Sequence, residues 1–413
     1  MKMIYIYNKV SFLIAAAMLL MLAATSCTYE EGQETYRVKV VLTQPLGDVP
    51  VQMTNSLTTS FTAVTDESGT AWLTLPAGIY SANVSKVTED GYFRNVYNGS
   101  VSDIVVGHGN TDITIPVTMT SMQTANPLVI KELYVGGCQK DDGSGIFAID
   151  KCVIIYNNSA AEVSLDNVGI GMVEPYNAEA ASHMFLNGGL LAYSEEDWIP
   201  AINGVWYFQP GHSIAPYSEL VINTCGAIDN TLTYSKSVNY ANPDYYCTYD
   251  VETTSSDGGK YNNTSYYPSP SEVIPTSHYL KAVKYGKGTA WPMSQTAPAV
   301  LLFKTEDMTP QQFAGDNSNI VYPAGKQDNI IYACLKLPRA WVLDAVEVYN
   351  ANKLADCKKR MTPDLDNGYV SLYNGLGHSL VRKVEKTVDG HVVYQDTNNS
   401  TNDFYETDNC SLR

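Results

Sequence analysis

Two hydrophobic rhythms divide the 413-residue chain. Phe12 to Ala24 is an unbroken apolar run behind Lys2 and Lys9, whereas from Tyr36 onward short segments alternate apolar and polar residues. A period of two is that of a strand with one face buried. Tyr36-Arg-Val-Lys-Val-Val-Leu42, Val49-Pro-Val-Gln-Met53, Ser60-Phe-Thr-Ala-Val-Thr65 and Ala71-Trp-Leu-Thr-Leu75 therefore read as strands. Turn residues such as Asp66-Glu-Ser-Gly69 separate them.

The phrase Gly69-Thr-Ala-Trp-Leu-Thr-Leu-Pro-Ala-Gly-Ile-Tyr80 leads into Ser81-Ala-Asn-Val-Ser85. It resembles the prealbumin-like sandwich of carboxypeptidase regulatory-like domains, where G-x-A-x-f-x-L-P-x-G-x-Y joins two strands through a Pro-Gly turn. The resemblance covers about residues 35–120, within a sandwich unit expected over 36–122, and implies a spacer or stalk near a membrane anchor.

A polar break at Gln123-Thr-Ala-Asn-Pro127 opens a second unit, expected over 126–413. Leu128 to Val135 and Val163 to Ile170 read as strands, Lys151 to Ser159 as a strand ending in a turn, and Pro298 to Lys304 as a later core strand. Trp341 to Tyr349 fits a short helix or a strand. The first of these segments resemble the lamin-tail-type sandwich, and Gln209-Pro-Gly-His-Ser-Ile-Ala-Pro-Tyr-Ser-Glu-Leu-Val-Ile222 matches its P-G stretch, with Gln209 and Ala215 as loose fits. Gly377-His-Ser-Leu-Val-Arg-Lys383 and Gln395-Asp-Thr-Asn-Asn-Ser-Thr-Asn-Asp-Phe404 resemble the Bacteroidetes lipoproteins grouped as domain of unknown function 4876. That resemblance spans most of 36–413. It implies a lipid-anchored all-β surface protein, an accessory of TonB-dependent nutrient uptake, without an established activity. The expected fold class is all-β: a small prealbumin-like sandwich followed by a larger lamin-tail-like (immunoglobulin-like) sandwich with long loops.

Ala24-Thr-Ser-Cys27 closes the apolar run with small residues. A membrane-spanning helix needs roughly 20 apolar residues, more than this run supplies. Residues 1–26 therefore read as a lipoprotein signal peptide and Cys27 as the lipidation site, although Ser26 stands where Gly or Ala is preferred. Glu30, Glu31 and Glu34 make 27–35 an acidic tether, similar to the Bacteroidetes signal for export to the outer face of the outer membrane. A formal net charge of −17 makes nucleic acid and anionic headgroups poor partners for the body.

Cys138, Cys152, Cys225, Cys247, Cys334, Cys357 and Cys410 remain after Cys27. Their scatter fits no zinc or haem motif. An oxidising compartment allows at most three bridges among them, and plain buried thiols fit equally well. No G-x-S-x-G or H-E-x-x-H occurs, and His183, His212, His278 and His378 read as ordinary turn or surface histidines. Asp141-Asp-Gly-Ser-Gly145 and Asp364-Leu-Asp-Asn-Gly368 lack the closing glutamate of a calcium loop and read as polar turns. No enzyme activity and no cofactor are expected.

The candidate recognition element is the Tyr-rich insertion at about 231–288. Tyrosine offers large contact area at low entropic cost, and the interleaved Ser, Gly and Asn add adaptable hydrogen bonds. Tyr245, Tyr246, Tyr249, Tyr261, Tyr266 and Tyr267 are its candidate ligand-binding residues; the competing reading is that these rings cover the core. The expected function is a non-enzymatic surface lipoprotein that binds a ligand or partner. Its expected partners are the outer membrane, through the lipid anchor, and a TonB-dependent receptor or other surface lipoproteins. The alternative is a structural or adhesive surface protein.

Overall fold

A computed structural model describes residues 34–55, 58–90, 93–108, 112–123, 127–175, 182–186, 189–250, 271–285, 293–294 and 296–413. The expected signal peptide, Cys27 and the tether up to residue 33 lie outside the described residues. The sheets fall into two groups along the chain, and the all-β sandwich expected from the sequence is what they form.

In the first group, β1 (Thr35–Leu42), β4 (Thr70–Pro76) and β7 (Asp112–Ile115) make a three-stranded sheet in the order β4–β1–β7. Strands β2 (Pro50–Asn55), β3 (Ser60–Val64), β5 (Gly78–Asp90), β6 (Phe93–Val106) and β8 (Val117–Gln123) make a second, in the order β3–β2–β5–β6–β8. Alternate residues converge between them: Val38 and Val40, Val51 and Met53, Leu73 and Leu75, Ala82 and Val84. Tyr80 ends the Pro-Gly motif with its ring buried and its hydroxyl donating to the Pro76 carbonyl at 3.0 Å. The motif thus fixes its own turn.

Strands β5 and β6 are 13 and 14 residues long, far beyond the Ser81–Ser85 segment that alternation marks. Their length is hidden because polar residues on the outward face meet the second unit. Ala82 and Val84 face the core, while Asn83, Asn98 and Ser100 face the second unit. There Asn98 Nδ2 donates to the carbonyls of Thr397 (2.8 Å) and Asn398 (3.2 Å). Asn399 Nδ2 donates to Asn83 Oδ1 (3.1 Å), and Ser100 Oγ to Asn367 Oδ1 (3.3 Å). The seam between the two units is polar.

The second group begins with β9 (Leu128–Tyr134), the ribbon of β10 (Cys138–Gln139) and β11 (Ile146–Phe147), then β12 (Cys152–Asn157). It continues through β13 (Val163–Ser164), β14 (Val168–Val173), β15 (Trp198–Tyr207), β16 (Ser213–Ile214), β17 (Glu219–Asn223), β18 (Tyr246–Cys247) and β19 (Lys281–Lys284). Next come β20 (Ala299–Lys304), β21 (Ile320–Val321), β22 (Cys334–Pro338), β23 (Val342–Asn350), β24 (Val370–Leu372) and β25 (Ser379–Arg382). A ribbon of β26 (Val384–Val388) and β27 (His391–Tyr394) precedes β28 (Phe404–Thr407). One sheet runs β18–β17–β12–β9–β25–β28, and the facing one runs β21–β22–β15–β14–β20–β23–β24, with β19 also paired to β15.

Ile130, Leu133, Val153 and Ile155 from the first sheet meet Ile170, Val205, Trp206 and Leu302 from the second. Trp341 to Tyr349 resolves as a strand after a short 3-10 turn. The segment Val163 to Ile170 corrects the sequence reading, because it is two strands in different sheets. Asn167 takes φ 63° and the Val168 N–H bonds the Leu165 carbonyl (3.0 Å), so the chain turns between them. Alternation survives such a turn and conceals it.

Every residue of β12 is buried, so its outer face is covered as well. The cover is a second apolar cluster of Tyr134, Cys152, Ile154, Val221, Val238 and Tyr240 with Cys225 and Cys410. The start of the Tyr-rich insertion is therefore core.

Candidate functional site: a tyrosine-lined cavity

Strand β18 runs parallel to β17 and ends at Cys247, from which Thr248-Tyr-Asp250 turns outward. The chain returns at Ser271 and runs back along β18 and β15 to Leu280 and β19. Between these two passes and Gln209 lies a cavity of about 470 Å³. Tyr249, Asp250, Glu272, Tyr279 and Lys281 line it together with Gln209.

The lining is held rigidly. Gln209 Nε2 donates to the carbonyls of Thr276 (2.8 Å) and Tyr279 (2.7 Å), fixing the 3-10 turn Thr276–His278. The Tyr279 hydroxyl accepts from the Ser271 N–H (2.7 Å) and donates to the Ser271 carbonyl (2.9 Å), and burial pushes its pKa up to about 12. Its ring meets Tyr249 edge to face at 6.3 Å. Asp250, 6% exposed, accepts from the Ala282 N–H at 2.9 Å. Two tyrosines, two acids, one amine and one amide thus converge on one space, beside the apolar Ile274, Pro275 and Leu280.

Behind the turn is a second aromatic group. Tyr246 stacks on His278 at 4.2 Å, meets Phe208 edge-on at 5.2 Å, and shares a 2.9 Å hydrogen bond between its hydroxyl and His212 Nδ1. The two imidazoles stand 5.4 Å apart. Burial, and then the neighbouring His278, hold His212 below the usual histidine pKa. These histidines read from the sequence as scattered; folding brings them together as support for the cavity wall.

The six candidate tyrosines therefore separate. Tyr249 lines the cavity. Tyr246 is buried and braces the wall from behind, and Tyr245 packs against the cluster over β12. Tyr261, Tyr266 and Tyr267 lie outside the described residues. Asp250, Glu272, Tyr279 and Lys281 were not singled out by sequence, and Gln209 was marked only as a loose fit to the P-G stretch. Tyr279 belonged to the same tyrosine tally, and the others carry no local signal.

The polar turns each use their carboxylates internally. Asp141 accepts from Ser235 N–H (3.0 Å) and Oγ (2.8 Å), and Asp142 from the Ser144 N–H (2.8 Å). Asp364 pairs with Arg339 (2.9 Å), and Asp366 is buried beneath Ser400. Two buried charge centres complete the polar interior. Glu347 accepts from Lys359, from Arg360 Nε (3.1 Å) and from the N–H groups of Arg360 (2.8 Å) and Met361 (3.2 Å). Burial alone would raise its carboxyl, but the two cations hold it below its ordinary value. Arg382 forms the other centre, with Asp344, Asp396 and Asp403.

Among known proteins, the family described as "Protein of unknown function (DUF4876)" matches residues 210–411. No curated protein matches the chain. The crystal structure of a DUF4876 family protein from Bacteroides thetaiotaomicron VPI-5482 is similar at a TM-score of 0.54 and 22% identity. The match covers 89% of this chain and 94% of that one, and at this identity it speaks for the fold alone. The resemblance carried by the motifs around Gly377 and Gln395 is thereby borne out: both lie within the residues 210–411 that the DUF4876 family model matches.

Proposed function

We propose that this chain is a non-enzymatic, lipid-anchored surface protein that holds a ligand or partner in the Tyr249–Tyr279 cavity, as an accessory of TonB-dependent uptake at the outer membrane. The observation that carries this reading is the cavity itself: about 470 Å³, lined by two tyrosines together with the polar Gln209, Asp250, Glu272 and Lys281 among other residues. Binding is favoured over catalysis because the Tyr279 hydroxyl and the Asp250 carboxylate already hold backbone groups. They serve better as fixed contacts than as proton carriers. The anchor rests on the Cys27 motif and the acidic tether that follows it.

The test is recovery of partners from detergent-solubilised outer membranes with tagged wild type and the Tyr249→Ala/Tyr279→Ala variant. The expected result is a transport receptor or surface lipoprotein recovered with wild type and reduced at least tenfold with the variant. Equal recovery by both would separate binding from the cavity. Fimbrial or adhesin subunits in its place would replace uptake by the structural reading.

A further inference from the structure

Seven thiols are buried in the described residues, and none is bonded to another. Four lie outside the cluster over β12, and Cys225, which shares that cluster, has a polar partner of its own. Asn230 Nδ2 donates to Cys225 Sγ (3.3 Å), and Cys334 Sγ reaches the Tyr332 carbonyl (3.4 Å). Cys357 Sγ reaches the Lys353 carbonyl (3.5 Å), Cys247 sits in a separate small cluster with Ala227 and Ile274, and Cys138 lies beside Gly377. Cys152 and Cys410 differ. Both occupy the closed cluster over the outer face of β12, 0% and 1% exposed, and the pairing of Cys152 with Tyr134 and the bond from the Ser411 N–H to Glu132 bring them to the same face of β9 and β12.

The chain end is positioned for this approach. After β28 it turns under the sheet, where the Ser411 N–H donates to Glu132 Oε1 (2.9 Å) and Arg413 Nη1 to the Gly377 carbonyl (3.4 Å). Cys410 is thereby held against the first residue of β12, directly beside Tyr134 of β9.

We infer that Cys152 and Cys410 form a disulfide in the exported protein, bolting the C-terminal tail to the central strand of the six-stranded sheet. The inference rests on the proposed location outside the inner membrane, where dithiol–disulfide exchange is available. One thiolate attacks an exogenous disulfide, forming a mixed disulfide and releasing one thiol. The second thiolate then displaces the remaining thiol. The protein loses two protons and two electrons, and the exogenous disulfide becomes two thiols. Exchange belongs to folding, before the cluster closes, since the buried Cys152 thiol is held well above its ordinary pKa and is unreactive once covered. An odd thiol count is then accounted for: one bridge, five buried thiols.

The experiment is alkylation of the full-length protein from outer membranes in denaturant without reductant, then digestion and mass spectrometry. The expected product is a peptide linking Cys152 to Cys410 that disappears on reduction, with the other five thiols alkylated. In Cys410→Ser, Cys152 should become alkylated while those five stay as they were. A linked peptide absent from cells yet formed by the purified chain in a glutathione redox buffer would uphold the pair and overturn the location. Complete alkylation of both cysteines in both settings would overturn the bridge.

Discussion

Arg382 is the side chain whose loss should cost the fold most. Its guanidinium is 1% exposed and serves three carboxylates: Asp344 in direct contact, Asp396 at 3.4 Å and Asp403 at 3.7 Å. It also donates to the carbonyls of Ile130 (2.7 Å) and Gln395 (2.9 Å) and lies 4.5 Å from the Phe404 ring centre. Arg382→Met keeps much of the stem's volume but strands three acids and two carbonyls. Removing one partner of a buried ionic group costs about 3–5 kcal/mol, because the remaining charge is left uncompensated. The expected loss at pH 7.5 is in that range.

The pH dependence discriminates this cause from lost packing. One cation cannot neutralise three acids, and burial pushes Asp344 up to about 7 and Asp403 up to about 6. Both lie above the ordinary unfolded value of about 3.9. A carboxyl raised in the folded state contributes stability that is fully present below its unfolded pKa and lost as pH rises through its folded one. Without Arg382 both folded values climb further, so the variant recovers relative stability as pH falls from about 8 towards 5. Urea unfolding followed by tryptophan fluorescence at pH 7.5 and pH 5 reads both quantities. A loss under about 1 kcal/mol at pH 7.5, or one that grows towards pH 5, would refute the reasoning.

Three further outcomes follow from single side chains. Lys151 is buried, bonded to the Met293 carbonyl, and pushed by burial down to about 7. The unfolded chain then binds a proton that the native state lacks, so this lysine adds stability as pH rises from about 7 towards 10.5. Lys151→Met should flatten that rise by on the order of 3 kcal/mol between pH 7 and 9.5, and parallel urea-unfolding curves would count against it. Asn98→Ala strips the donor from two carbonyls in the seam and should cost about 1–3 kcal/mol in thermal unfolding; an unchanged midpoint would mean the seam carries no energy. Gly204 sits at φ +91° with space for a Cβ only 1.8 Å from the Val283 carbonyl. Gly204→Ala should therefore displace β19 and cost at least about 2 kcal/mol, read as lost amide protection at Val283 and Lys284.

Sequence revealed what a period of two can reveal. Strands with one wet face, such as Tyr36 to Leu42, were legible at once. Strands buried on both faces were legible when their interior was apolar, as in Cys152 to Tyr156. The length of β5 and β6 was not, because Asn83, Asn98 and Ser100 look like solvent-facing residues until the second unit is set against them. The site shows the same limit. Tyrosine density marks the right region, yet it cannot separate Tyr249 in the cavity wall from Tyr246 in the packing behind it. Both follow from which way the chain leaves β18. Asp250 and Gln209 gain their roles only when the returning segment Ser271 to Lys281 closes on them, and no local pattern records that approach.

The run Gln395 to Ser400, which carries the resemblance most specifically, is explained by the fold without any ligand. The Gln395 carbonyl and the Asp396 carboxylate serve Arg382. The Thr397 N–H and hydroxyl each bond Asp403 at 2.8 Å, while its carbonyl receives Asn98. Asn398 adopts φ 50° and also offers its carbonyl to Asn98. Asn399 caps the turn Ser400–Asp403 with one end of its amide and reaches Asn83 with the other. Ser400 bonds the buried Asp366 through both its N–H (2.8 Å) and its hydroxyl (2.5 Å). Six consecutive residues thus join a buried charge centre to the seam between the sandwiches. Each side chain must be polar because each bonds a backbone or carboxylate group in a confined space. A motif built this way marks how the two units are fastened.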